Sequence, residues 1–124
     1  MGRRNRFVTP ETVRLDLSDG DWIEVKERLD YAENQRLYGR MVHSLKDDDD
    51  GRELGLDLAR FNIARLETCI VDWSFRGADD KPVPVSRNAI EHLDPDTAQE
   101  IDQAIEGHLV NLAAKKVLAS AGTS

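Results

Sequence analysis

The stretch "RLDLSDGDWIEVKERL", residues 14–29, constrains the fold more than any other part of the chain. Val13, Leu15 and Leu17 alternate with Arg14 and Asp16, and Ile23 and Val25 alternate with Trp22, Glu24 and Lys26. A period of two is the mark of a strand with one buried face. Two such strands around Asp19-Gly20 predict a β-hairpin, and the loop length decides which residues share a face. A two-residue turn sets Leu17 opposite Trp22 and Leu15 opposite Glu24, which splits the apolar residues between faces. A three-residue loop, Ser18-Asp19-Gly20 with Gly20 left-handed, sets Leu15 opposite Ile23 and Val13 opposite Val25. That register gathers the apolar side chains on one face and is the one expected. Trp22 then lies across from Asp16 on the other face.

A lone hairpin is marginal in water, so this one needs helices or another chain against its apolar face. Its exposed edge invites pairing. Trp22 on the outer face reads either as an interface anchor or as a partly buried tryptophan of a satellite core.

The remainder supplies helices. Asp30 and Glu33 have the spacing of a capping box, predicting a helix over 31–45 with Leu37, Met41, Val42 and Leu45 inward. Gly39 weakens it by about 1 kcal/mol relative to alanine, either for close packing or as a tolerated defect. A second helix is expected from Leu56, capped by Asp57. Its stripe of Ala59, Ile63, Leu66, Ile70 and Trp73 is the strongest helical period in the chain. Residues 75–85 read as a loop made extended by Pro82 and Pro84. Ser86 caps a short helix through Leu93, and Asp94-Pro95 opens a last helix to about Leu118, with Ile101, Ile105, Leu109 and Leu112 inward. The expected fold is therefore α+β and mainly α-helical: an N-terminal β-hairpin packed on a bundle of about three to four helices. With 124 residues it should form a single domain over 1–124. Residues 1–11 should be a flexible basic arm, and 119–124 a frayed C-terminus.

Charge and composition narrow the function. The net charge of −7 argues against binding a phosphate backbone and favours a soluble protein with an acidic surface. No apolar run approaches the roughly 20 residues that span a bilayer. The basic start lacks the apolar stretch of a secretory signal. A single cysteine, Cys69, suits a reducing compartment and reads as a packed thiol.

Residues 46–51, Lys-Asp-Asp-Asp-Asp-Gly, superficially fit a calcium loop, with Gly51 at position six and Asp48 and Asp50 at three and five. Lys46 at position one cannot ligate calcium, and Asp57 stands at twelve in place of glutamate. A solvated acidic loop is expected. His43, His92 and His108 fall on separate elements, and no metal, phosphate-loop or nucleophile motif is present. The expectation is a non-enzyme with no catalytic residues, cofactor or metal.

Three blocks carry a resemblance: "ETVRLDLSDGDWIEVKERLDYAE" (11–33), "RLETCIVDWSF" (65–75) and "KPVPVSRNAIEHLDPDTAQEIDQAIEGHL" (81–109). Their order resembles the small tail assembly chaperones of long-tailed bacteriophages and prophages, specifically the short product. Such proteins have a hairpin, a helix, a tryptophan-bearing central helix, a Pro/Val stretch and a C-terminal helix. Ala32-Glu33 stands where members often have Gly-Glu. The resemblance implies a protein that binds the tape measure protein, recruits tail tube subunits, works in the host cytoplasm and is absent from the mature virion. It implies neither nucleic acid nor membrane partners, and self-association is compatible with it. Trp22, Glu24 and Asp16 on the outer hairpin face are the expected partner-binding residues. Two other readings stay open: a minor virion, tail or neck structural protein, and an acidic inhibitor that mimics nucleic acid.

Overall fold

The computed structural model describes residues 5–46 and 51–122, with side chains over 5–39 and 59–115. The fold is α+β: an antiparallel sheet with the N-terminal hairpin packs against a small set of helices.

The hairpin has the expected register. Strands β1 (Thr12–Asp16) and β2 (Trp22–Lys26) pair Val13 with Val25, Leu15 with Ile23 and Asp16 with Trp22. Ser18–Gly20 forms the loop, closed by the Leu17 amide donating to the Asp21 carbonyl at 2.8 Å. Gly20 is left-handed at φ 79°, as the three-residue loop requires. Asp19 is left-handed as well, at φ 59°. Aspartate tolerates that region better than most residues. Glu100 then clasps the loop from a distant helix, accepting from the Ser18 amide at 2.6 Å and the Ser18 hydroxyl at 3.0 Å.

The sheet has a third strand that replaces the end of the expected central helix. Helix α2 stops at Cys69, and β3 (Ile70–Trp73) pairs antiparallel with β2, giving the order β1-β2-β3. Val25 faces Ile70 and Glu24 faces Asp72, so Val71 is an extra residue in a bulge. That bulge sends Ile70 and Trp73 to the same inner face although they are three apart, each 5% exposed. The spacing mimics a helical stripe, while the local composition, β-branched and aromatic, selects a strand. Beyond β3 the chain folds back on itself through an Arg76↔Pro82 bridge and a turn with Asp80 at φ 59°.

Helix α1 (Tyr31–Lys46) opens on the predicted capping box: the Glu33 amide donates to Asp30 Oδ1 at 2.8 Å, and the Asp30 amide donates to Glu33 Oε1 at 3.0 Å. Leu37 is buried, whereas the positions assigned to Met41, Val42 and Leu45 lie outside the described side chains. Among the described residues, a Cβ on Gly39 would meet nothing within 4 Å, so no close packing against them calls for this glycine. Helix α2 spans Gly51–Cys69, which puts Asp57 inside the helix and not at its cap. Ala59, expected inward, is exposed. The acidic run 47–50 lies outside the described residues.

Ser86 caps α3 (Arg87–Glu91), its hydroxyl accepting from the Ala89 amide at 3.0 Å. Asp94 caps α4 (Pro95–Gly122), taking the Thr97 hydroxyl at 2.8 Å and the Asp96 and Thr97 amides at 3.3 Å. These bonds hold its carboxyl below the usual aspartate value, the Thr97 hydroxyl contributing most. Helix α4 runs past Leu118 into residues expected to fray. One apolar cluster joins the layers: Ile23 and Val25 from the sheet, Leu66 from α2, Ile70 and Trp73 from β3, Ile90 from α3, and Ile101 and Ile105 from α4. Burying each large aliphatic there is worth roughly 1.5–3 kcal/mol. Trp73 Nε1–H is satisfied by the Val83 carbonyl at 2.6 Å, and its ring lies 5.1 Å from that of Phe75.

Candidate functional site

Two surfaces are candidates. The first is the outer sheet face, where Asp16, Trp22 and Glu24 come together as the alternation requires. Asp16 is exposed and directly opposite Trp22; Trp22 and Glu24 are half-buried. The Arg14 guanidinium covers the Trp22 ring at 3.9 Å from its centroid, a cation–π contact that hides part of the indole. Trp22 is therefore a partly covered residue carrying a cation, not a bare apolar anchor. Thr12 Oγ1 donates to Glu24, and Asp72 stands across from Glu24 on β3. Bulged Val71 is 46% exposed beside them. The backbone beyond Trp22 is fixed by Ser74, which receives the Trp22 amide at 2.9 Å and donates to Asp21 at 2.8 Å.

The second surface, absent from the expectations, is a cleft of about 500 Å³ between α1, α2 and α4. Val25 and Ile105 belong to the core at its base; Leu29, Leu37 and Tyr38 form one wall, Phe61, Arg65 and Cys69 another, and His108, Leu109 and Leu112 the third. Leu109, expected inward, is 45% exposed, and Tyr38 is 57% exposed. Beyond Ile105, α4 runs along the cleft and not over the core, so the helical period that predicts burial leads into open space. The sequence signal was available: Leu109 and Leu112 continue the stripe of Ile101 and Ile105, but nothing in periodicity says where the opposing layer ends.

Polar groups join the walls around this cleft. Arg65 reaches across to α4, donating to Glu106 at 2.7 Å and to Asp102 at 3.3 Å. Burial works against its charge, yet the hydrogen bonds and carboxylates of Glu106 and Asp102 outweigh burial and raise its pKa. Its Nε is buried without a partner among the described residues. His108 Nε2 lies 2.9 Å from the Glu27 carbonyl and must donate, since a carbonyl only accepts. Lys26 pairs with Glu33, and that bond, with the Asp30 amide, holds the Glu33 carboxyl below its ordinary value. Burial pushes the Cys69 thiol up, so it is a packed thiol and a poor nucleophile.

A further concavity of about 440 Å³ borders Trp73, Phe75 and Asp94. Its polar groups already have structural work: Asp94 caps α4, Asp21 holds Ser74, and His92 Nδ1 donates to the Asn88 carbonyl at 2.8 Å. Among the described residues, no group of three His, Cys, Asp or Glu side chains could hold a metal ion, and no helix is long and apolar enough to cross a membrane. The chain matches no family model, no curated protein and no solved structure.

Proposed function

We propose that this protein is a non-enzymatic assembly chaperone that holds an apolar helical segment of a larger client, in the manner of the tail assembly chaperones it resembles. The client in that reading is the tape measure protein. Tail tube subunits are recruited to the complex in the host cytoplasm, and the chaperone leaves before the virion is complete. The observation that carries the reading is the three-walled cleft, because Leu109, Tyr38, Phe61 and Leu112 line an open space of about 500 Å³. A groove of aliphatic and aromatic side chains between helices suits an amphipathic helix laid in by its apolar face. Trp22, Glu24 and Asp16 on the outer sheet face supply a second, more polar contact.

Co-expression with a tape measure protein, the long helical client this reading implies, is the test. A soluble complex, with rescue of the partner from aggregation, is the expected result. Leu109→Asp should weaken that complex at least tenfold while leaving the fold intact, because a carboxylate in the groove must be desolvated on binding. Trp22→Ala should weaken it less. A soluble partner that ignores this chain overturns the reading and turns attention to purified particles, where a virion component would be found. An inhibitor mimicking nucleic acid would require a continuous acidic face; on the outer sheet face, Arg14, Lys26 and Trp22 interrupt Asp16, Glu24 and Asp72.

A further inference from the structure

The free edge of β1 has a definite hydrogen-bonding pattern. The Leu17 amide bonds to Asp21 and the Glu27 amide to Glu11, so the odd-numbered residues of β1 face β2. The backbone groups of Thr12, Arg14 and Asp16 therefore point away from the sheet, and no described residue forms a backbone bond to them. On the inner face the core thins at this edge. Ile23 and Val25 are 0% and 1% exposed, whereas Val13, Leu15 and Leu17 are only half-buried. An edge with unpaired amides and an incomplete apolar strip is a template for another strand.

We infer that this edge pairs with the same edge of a second copy, antiparallel about a two-fold axis at Leu15. The charges select that occupant and register. Centring on Leu15 puts Arg14 opposite Asp16 of the second copy, and Asp16 opposite its Arg14, on the outer face. Both residues point their backbone groups outward, so each pair is also a hydrogen-bonded pair. Centring on Arg14 would set two guanidiniums against each other. Centring on Val13 would bring Pro10, which has no N–H to donate, against Asp16. In the Leu15 register Val13 faces Leu17 of the second copy, so the half-buried strip closes on itself. The result is a six-stranded sheet, β3-β2-β1-β1-β2-β3, with both outer faces on one side. Arg14 then sits between its own Glu24 and the second copy's Asp16, and each edge strand protects the other. The inference rests on the hairpin and not on client binding, so either can fail alone.

Sedimentation over a concentration series is the experiment. The wild type should show a monomer–dimer equilibrium that loosens at high salt. Arg14→Asp and Asp16→Arg should each weaken it about tenfold or more, since two symmetric pairs become repulsive. Both substitutions lie on the outer face, and circular dichroism checks that the fold survives. Mixing the two variants should restore a dimer, because the edge of one chain then carries two carboxylates and faces two guanidiniums on the other. In a Cys69→Ala background, Leu15→Cys should form an intermolecular disulfide under mild oxidation, its Cα atoms falling about 4.5 Å apart in a non-hydrogen-bonded pair. A monomer at every concentration, a dimer indifferent to both charge reversals, or two weakened variants that fail to recover on mixing overturns the inference.

Discussion

Ile101 and Leu109 stand about two turns apart on one helix, yet Ile101 is 0% exposed and Leu109 45%. The first half of α4 lies against the sheet, α2 and α3, and its apolar residues complete a closed core. The second half borders the cleft, where the same kind of side chain remains open to solvent. One helix thus has two environments, and the boundary falls at Ile105, which belongs to both the core and the cleft. Apolar residues serve stability only where an opposing layer exists; elsewhere they are available for binding.

The sharpest test of this division compares truncations in the two halves. Ile101→Ala removes a fully enclosed side chain and should cost about 2–5 kcal/mol, read from urea denaturation. Leu109→Ala should change stability by no more than about 0.5 kcal/mol. Comparable losses at both positions would break the comparison and mean that the cleft is closed in solution.

A second test stays within the closed half. Trp73→Phe keeps an aromatic ring on the inner face but removes the donor to the Val83 carbonyl. The lost bond and unfilled volume should together cost about 2 kcal/mol. An unchanged denaturation midpoint would show that the segment after β3 holds its place without Trp73.

The same boundary separates what was legible in the sequence from what was not. The hairpin register followed from Val13, Leu15, Ile23 and Val25, since one loop length alone put them on a common face. The caps at Asp30, Ser86 and Asp94 were legible because capping is local chemistry, settled within four residues. Strand β3 was not. Ile70 and Trp73 share a face through the bulge at Val71, and a three-residue spacing reads as a helix to any periodicity argument. The resemblance reinforced that error by implying a tryptophan on a central helix, whereas Trp73 is on a strand. The run Ile70 to Phe75, rich in β-branched and aromatic residues, was the available counter-signal. The outer face with Asp16, Trp22 and Glu24 was legible from the same alternation. The Arg14 stack on Trp22 was not, because side-chain packing across a strand pair depends on rotamers. The cleft was invisible for a third reason: it depends on where helices stop touching.

Arg65 probes the wall between the two halves. Arg65→Met removes its bonds to Asp102 and Glu106 but also removes a buried Nε with no partner among the described residues. Asp102 and Glu106 side chains are 38% and 58% exposed, so water can solvate them once the guanidinium is gone. The net loss should be about 1 kcal/mol in urea denaturation. A loss as large as that of Ile101→Ala would move the boundary of the rigid core outward to include the cleft wall.

A further modest effect is expected beside the cleft, where Glu33 ties α1 to the sheet. Its carboxyl accepts from Lys26 on β2 and from the Asp30 amide at the start of α1, and both lower its pKa from the ordinary 4.5. A carboxyl with a depressed folded pKa binds its proton less readily when folded than when unfolded. Its contribution to stability is therefore complete above about pH 4.5, the ordinary value, and is lost as pH falls through the lower folded value. Urea midpoints for the wild type should fall as pH drops below that point, and Glu33→Gln should flatten part of the slope. At pH 7 the variant should cost about 1 kcal/mol, since the pair with Lys26 is half-buried but a glutamine can still accept from the Asp30 amide. If the cleft is an open wall hinged on α1, that loss should register first as faster amide exchange in residues 31–37, while exchange at Ile23 and Ile101 stays slow. Equal acceleration at all these sites would mean that α1 and the core unfold as one unit, and the two halves of the molecule would then differ in exposure but not in stability.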